Sequence, residues 1–139
     1  MTGHQPHPGV GLDAKGNILK KVNIEDVIEG CGVEFIRVVD PYDLNTSLKV
    51  LSEALEFNGV AVVIFRRECA LTYSRKHPDR VSRFKVDKSA CKKCLVCISQ
   101  LSCPAIIKTK EGHVEITDSC IGCGICAAVC PFKAIFKEV

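Results

Sequence analysis

Eight of the ten cysteines fall within the last 49 residues, in two groups of one form. The first is Cys91, Cys94 and Cys97, then Cys103-Pro104. The second is Cys120, Cys123 and Cys126, then Cys130-Pro131. So many thiols in so short a stretch leave little room for an ordinary apolar core, and whatever they bind must help to hold the fold. Disulfides belong to oxidising compartments, and Met1 to Val10 is polar and Pro/Gly-rich, without the basic and apolar regions of an export signal. A cytoplasmic protein with metal-binding thiols is therefore expected. Structural zinc also uses C-x2-C pairs, but zinc ribbons take two pairs rather than two triplets that each have a Cys-Pro partner. A zinc-stabilised interaction module stays as an alternative, and it predicts a colourless protein.

The two groups belong to an internal repeat. Val86-Asp87-Lys88-Ser89-Ala90-Cys91 corresponds to Ile116-Thr117-Asp118-Ser119-Cys120, one residue shorter. Each copy ends in a β-prone tail, Ala105-Ile106-Ile107-Lys108 and Ala134-Ile135-Phe136-Lys137, and Glu111-Gly112 marks a hairpin turn between Ile106–Lys108 and 113–116. The second motif fits the bacterial ferredoxin run C-x2-C-x2-C-x3-C-P at every defined position. Cysteines three residues apart can wrap three corners of an iron–sulfur cubane. Gly122 and Gly124 let backbone N–H groups approach its sulfides, and Pro131 stops helical continuation. No ligand is missing, as a [3Fe–4S] centre would require. The first motif differs in its last gap, five residues instead of three. The ferredoxin motif implies a crossed ligand set: Cys91, Cys94, Cys97 and Cys130 for one [4Fe–4S] cluster, and Cys120, Cys123, Cys126 and Cys103 for the other.

The first half reads differently. Punctuation by Gly and Pro makes residues 1–20 an irregular loop, in which His4 and His7 are candidates for an active-site lining. Asn23 is the expected N-cap of a short helix with Ile24, Val27 and Ile28 on one face, ended by Gly30 and Gly32. Residues 33–39 form a strand, residues 45–57 an amphipathic helix with Leu44, Leu48, Leu51 and Leu55 at helical spacing, and residues 60–65 a second strand, apolar enough to be buried on both faces. A strand–helix–strand unit makes parallel neighbours. Two strands do not make a stable open sheet, so this is a partial parallel sheet, the end of a larger α/β domain. The fold class expected is an α/β fragment followed by an α+β two-cluster ferredoxin-like domain. The divisions are residues 1–71, a basic linker at 72–85, and 86–139. The wider basic run 66–85 is either solvated or a docking surface. Cys31 and Cys69, outside both motifs, are expected in a core.

Residues 1–83 balance 11 basic against 11 acidic side chains, and residues 84–139 carry 8 against 5, giving the net charge of +3. Two four-thiolate cubanes of about −2 each would reverse that sign, so the charge does not point to nucleic acid. The longest apolar run is six residues, 60–65, too short for a membrane span. No phosphate-binding glycine motif, nucleophile elbow or catalytic carboxylate pair is present.

Several stretches together resemble the carboxy-terminal end of the indolepyruvate ferredoxin oxidoreductase alpha subunit. They are residues 1–9, Gly32-Val33-Glu34-Phe35-Ile36-Arg37-Val38-Val39-Asp40-Pro41-Tyr42, Arg66-Arg67-Glu68-Cys69-Ala70-Leu71 and both cysteine motifs, including the longer first gap. The resemblance implies a thiamine-diphosphate-binding domain followed by a two-cluster ferredoxin domain. It implies oxidative decarboxylation of an aryl 2-oxoacid to an acyl-CoA, with electrons passed to an external ferredoxin. The family's Gly-Asp-Gly motif and its magnesium-holding asparagine are missing, as if the chain began just after them. Thiamine diphosphate and magnesium are therefore expected only if a partner chain supplies that motif, and catalysis is not expected from this chain alone. The alternative is a stand-alone two-cluster electron carrier.

Overall fold

A computed structural model of the chain describes residues 8–138, in two compact units divided after Arg66. His4 and His7 lie outside the described residues.

In the first unit the loop is less irregular than its composition suggests. Asp13 accepts hydrogen bonds from the amides of Lys15 and Asn17, each 2.8 Å, and Leu12 and Ile18 form an antiparallel bridge. Helix α1 (Ile24–Gly30) follows. Asn23 stands at its N-cap, as expected, but its side chain accepts no capping bond; its side-chain amide donates to Asp26 Oδ1 at 2.7 Å. Gly32, at φ 81°, closes the helix by donating to Glu29 O. Strand β1 (Phe35–Val39) pairs in parallel with β2 (Ala61–Phe65), Phe35 opposite Ala61 and Val39 opposite Phe65. Between them runs α2 (Leu44–Glu56). Its cap is Asp43, whose carboxylate accepts from Thr46 N at 3.1 Å and Thr46 Oγ1 at 2.6 Å.

The expectation of a strand buried on both faces fails here. β2 is half-buried, and Phe65 is 47% exposed. The pair has no third strand among the described residues. In α2 the residues packed inward are Ser47 and Val50, while Leu48, Leu51 and Leu55 face outward, Leu55 86% exposed. Ser47 Oγ donates to Asp40 O at 3.0 Å, which satisfies a hydroxyl only 4% exposed.

The second unit begins with α3 (Ala70–Lys76) and β3 (Phe84–Val86), so the segment expected as a linker holds a helix and a strand. Then come α4 (Val96–Ser99), β4 (Ile106–Lys108), β5 (Val114–Ile116), α5 (Ile125–Val129) and β6 (Ile135–Lys137). The two copies exchange strands. β3, opening the first, pairs antiparallel with β6, ending the second, and β4 pairs antiparallel with β5. Equivalent amides lock both junctions: Asp87 N donates to Ala134 O and Thr117 N to Ala105 O, each at 2.8 Å. The core is Cys97, Ile106, Val114, Cys126 and Ile135.

The cysteine loops are also equivalent in backbone. Gly122 and Gly124 stand at φ 71° and 81°, and their counterparts Lys93 and Leu95 at 57° and 59°. The first copy thus places two residues with side chains in the left-handed region, at about 1 kcal/mol or more each. Glycine cannot be replaced in the second copy, because a Cβ on Gly122 would lie 2.7 Å from Ser82 O and 2.9 Å from Val81 Cγ1. Gly122→Ala should cost about 2 kcal/mol or more of domain stability, whereas Lys93→Gly, which relieves strain, should cost nothing or stabilise. Anaerobic denaturation midpoints check the pair.

Candidate iron–sulfur centres

The exchange of strands carries each Cys-Pro cysteine across to the other copy's loop. Cys91, Cys94, Cys97 and Cys130 line one cavity, with Val86, Leu95, Val114, Phe132 and Ile135 as its apolar wall. Cys103, Cys120, Cys123 and Cys126 line a second, walled by Phe84, Leu101, Ile106, Ile116 and Ile125. The same partition governs electrostatics: Cys97 feels Cys130, Cys94 and Cys91, while Cys126 feels Cys123, Cys120 and Cys103.

Cys103 reaches its cavity despite the longer gap. Ser102 N donates to Ile98 O at 2.9 Å, carrying the helical turns of α4 onward, and Ser102 at φ 46° then turns the chain. The extra residues are absorbed in a turn after α4.

The third cysteine of each triplet is buried, Cys97 at 6% and Cys126 at 8% exposure, and the other six are partly or fully exposed. Burial is the main cause that raises both thiols, with neighbouring cysteines adding to it, and Cys126 is pushed up to about 11. Among the described residues, no backbone amide from 92 to 95 or from 121 to 124 donates to a backbone carbonyl. Left-handed turns that gather free N–H groups form a concavity suited to an anion. Four soft donors around an apolar cavity rimmed by unpaired amides fit an anionic iron–sulfur cubane. Among the described residues no three His, Cys, Asp or Glu side chains are grouped to hold a single metal ion.

Cys31 and Cys69 are both exposed, not in a core. Cys31 sits in the closing turn of α1 between two glycines, and Cys69 precedes α3, where the Thr72 and Leu71 amides hold its thiol below the usual value. The left-handed loop positions of Lys93 and Leu95 were not anticipated; their equivalence to two glycines in the repeat was the signal.

The family model for a 4Fe–4S binding domain matches residues 113–136, which include Cys120, Cys123, Cys126 and Cys130. Curated relatives match the chain from end to end. "Indolepyruvate oxidoreductase subunit IorA" of Archaeoglobus fulgidus is 46% identical over 138 residues, 97% of this chain and 22% of that protein. The subunit of the same name from Methanothermobacter marburgensis is 41% identical over 99% of this chain and 22% of its own length. That of Thermococcus kodakarensis is 41% identical over 96% and 21%. The chain is homologous to the carboxy-terminal part of these subunits. It spans about 22% of their length. No described helix is long and apolar enough to cross a membrane.

Cys103→Ala should halve the iron bound, from about eight to about four per chain, whereas Cys31→Ala and Cys69→Ala should leave it unchanged. Iron and labile sulfide assays on anaerobic protein decide this. A pH dependence follows from Cys126. In the cluster-free fold its thiol stays protonated up to about 11, while an unfolded one ionises near 9.0. That thiol therefore favours the cluster-free fold fully below pH 9 and loses this effect as pH rises through 11. Ligation has the opposite sense, because it needs the thiolate. Cluster assembly should strengthen as pH rises from about 7 to about 9, followed by visible absorbance during anaerobic reconstitution.

Proposed function

We propose that this chain is the electron-transferring end of an indolepyruvate-type 2-oxoacid:ferredoxin oxidoreductase. The observation that carries the reading is the sorting of eight thiols into two cavities by strand exchange. The ligand sets proposed are Cys91, Cys94, Cys97 and Cys130 for cluster one, and Cys120, Cys123, Cys126 and Cys103 for cluster two. A [4Fe–4S] cubane supplies one reversible electron at a potential set by its surroundings. The chain's own contribution is to fix the thiolates, exclude water with apolar walls and aim free amides at the sulfides, which favours the added negative charge. Single-metal zinc closure would bring the four sulfurs to within about 3.8 Å of one another, which does not suit donors spread around a cavity.

The first unit supports the larger assignment. Its outward leucines on α2 and its two-stranded parallel pair suit the end of an α/β sheet whose remainder lies in the rest of the long subunit. The proposed domain roles are a remnant of a thiamine-diphosphate-binding domain before residue 71 and a two-cluster ferredoxin-like domain after residue 86. Thiamine diphosphate and magnesium are proposed only together with a polypeptide segment that carries the Gly-Asp-Gly motif. The other proposed partners are the remaining oxidoreductase subunits and an external ferredoxin. Neither nucleic acid nor membrane is a proposed partner. Free thiols in this number suit the cytoplasm.

The test has two arms. Anaerobic protein should be brown, with about eight iron and eight sulfide per chain; zinc in their place would overturn the cluster assignment. Aryl 2-oxoacid oxidation should appear only when a polypeptide with the thiamine motif is added. Clusters without any such reconstitution would leave a stand-alone carrier.

A further inference from the structure

The two cysteine loops differ in what surrounds them. The loop of the second cavity is uncharged from Cys120 to Cys130 and lies under residues 81–84: Gly122 sits against Val81 and Ser82, and Gly124 against Phe84. The loop of the first cavity is open. Cys94 is exposed there, and so are Lys92 and Lys93 on either side of the bond that leads to it. Lys93 Nζ donates to the backbone carbonyl of Glu111 at 3.0 Å, which brings the β4–β5 turn with Lys110 to the same rim. Lys88 stands on the turn that leads into Cys91. None of these four ammonium groups forms an ion pair among the described residues. The acidic groups on the same segments are Asp87, whose carboxylate is occupied by Ser89 and the Ala90 amide, and Glu111.

In the basic run at 66–85 Arg75 and Arg80 stand outside the ion pairs and line neither cavity, and four of the other cations are answered within the chain. Arg66 is paired with Glu25, Lys76 with Glu68, Arg83 with Asp118 and Lys85 with Glu138. Charges answered within the chain steer a partner weakly; unanswered charges beside a redox centre steer it strongly.

We propose that the lysine rim of the first cavity, Lys88, Lys92, Lys93 and Lys110, is the docking face for a small acidic electron-carrier protein. This rests on the cluster assignment above. One electron leaves the centre held by Cys91, Cys94, Cys97 and Cys130, and one oxidised centre of the carrier gains it; no bond changes and no proton needs to move. The exposed Cys94 gives the carrier its short approach.

The test uses the anaerobically purified full chain with its iron, and two probes: a strongly acidic two-cluster ferredoxin and a basic c-type cytochrome. Binding is read by calorimetry at low and high salt. The acidic probe should bind, weakening about tenfold or more between low and physiological salt, and the basic one should not. Lys88→Glu with Lys110→Glu, which touches no residue of the cavity wall, should weaken the acidic probe about tenfold at unchanged iron content, and Arg75→Glu with Arg80→Glu less than twofold. Equal losses in both variants, binding without salt dependence, or preference for the basic probe would overturn the docking face. Absence of iron and sulfide from the parent protein would instead overturn the cluster assignment.

Discussion

Everything in residues 67–139 depends on one exchange between its halves. Each copy of the repeat gives its last strand, and the cysteine before that strand, to the other copy. The pairs β3–β6 and β4–β5 are three residues long, and isolated pairs of that size are marginal in water. Their hydrogen bonds cannot carry the domain alone. What lies between them is a core in which Cys97 and Cys126 are both packing atoms and candidate ligands. A buried thiolate without a compensating cation costs far more than it returns. The same burial that makes these two sulfurs part of the core thus makes the cluster-free domain hold neutral thiols. Metal binding and packing are one cooperative event in this domain, and neither half can complete a cavity by itself.

The first unit is held by other means and left less finished. Phe35 and Phe57 meet at a tilt of 41° with ring centres 5.3 Å apart, the Ser47 hydroxyl ties α2 to the end of β1, and Arg66 forks onto Glu25 with bonds of 2.7 and 2.6 Å. These fix α1 and α2 around the parallel pair. They do not cover the outward leucines, and parallel strands are ordinarily covered on both faces. Leu48, Leu51, Leu55 and Val60 stay exposed on this unit.

The sequence carried the chemistry better than the packing. Cysteine spacing and the repeat identified the eight thiols, the hairpin at Glu111-Gly112, and the correspondence of the two tails. Periodicity located α2 and both strands of the first unit to within about two residues. It could not say which face of α2 packs inward, because a leucine stripe marks an apolar surface and not the partner beneath it. The inward residues Ser47 and Val50 follow from the hydroxyl's bond to Asp40, a tertiary fact. β3 was hidden for another reason: Phe84-Lys85-Val86 is a strand only because residues 135–137 pair with it, some fifty positions on. Asp43 was a legible cap that the Pro41-Tyr42 turn masked. The left-handed backbone at Lys93 and Leu95 contradicts local preference, and only the repeat pointed to it.

The unequal gaps of the two motifs conceal a fixed frame. From the third cysteine of each triplet to the first residue of the following strand is nine positions in both copies, Cys97 to Ile106 and Cys126 to Ile135. The first copy spends its two extra residues before Cys-Pro, on a turn after α4 that ends at left-handed Ser102. The second spends them after Cys-Pro, on a turn that ends at left-handed Lys133, φ 50°. The strand-exchange geometry therefore conserves the distance between core positions, not the place of the ligand within it. A cysteine can slide by two residues along that span and still face its cavity, because a longer turn before Cys-Pro is matched by a shorter one after it. The buried pairs Ala105 with Ile106 and Ala134 with Ile135 fix the frame, and the fourth ligand is placed by it.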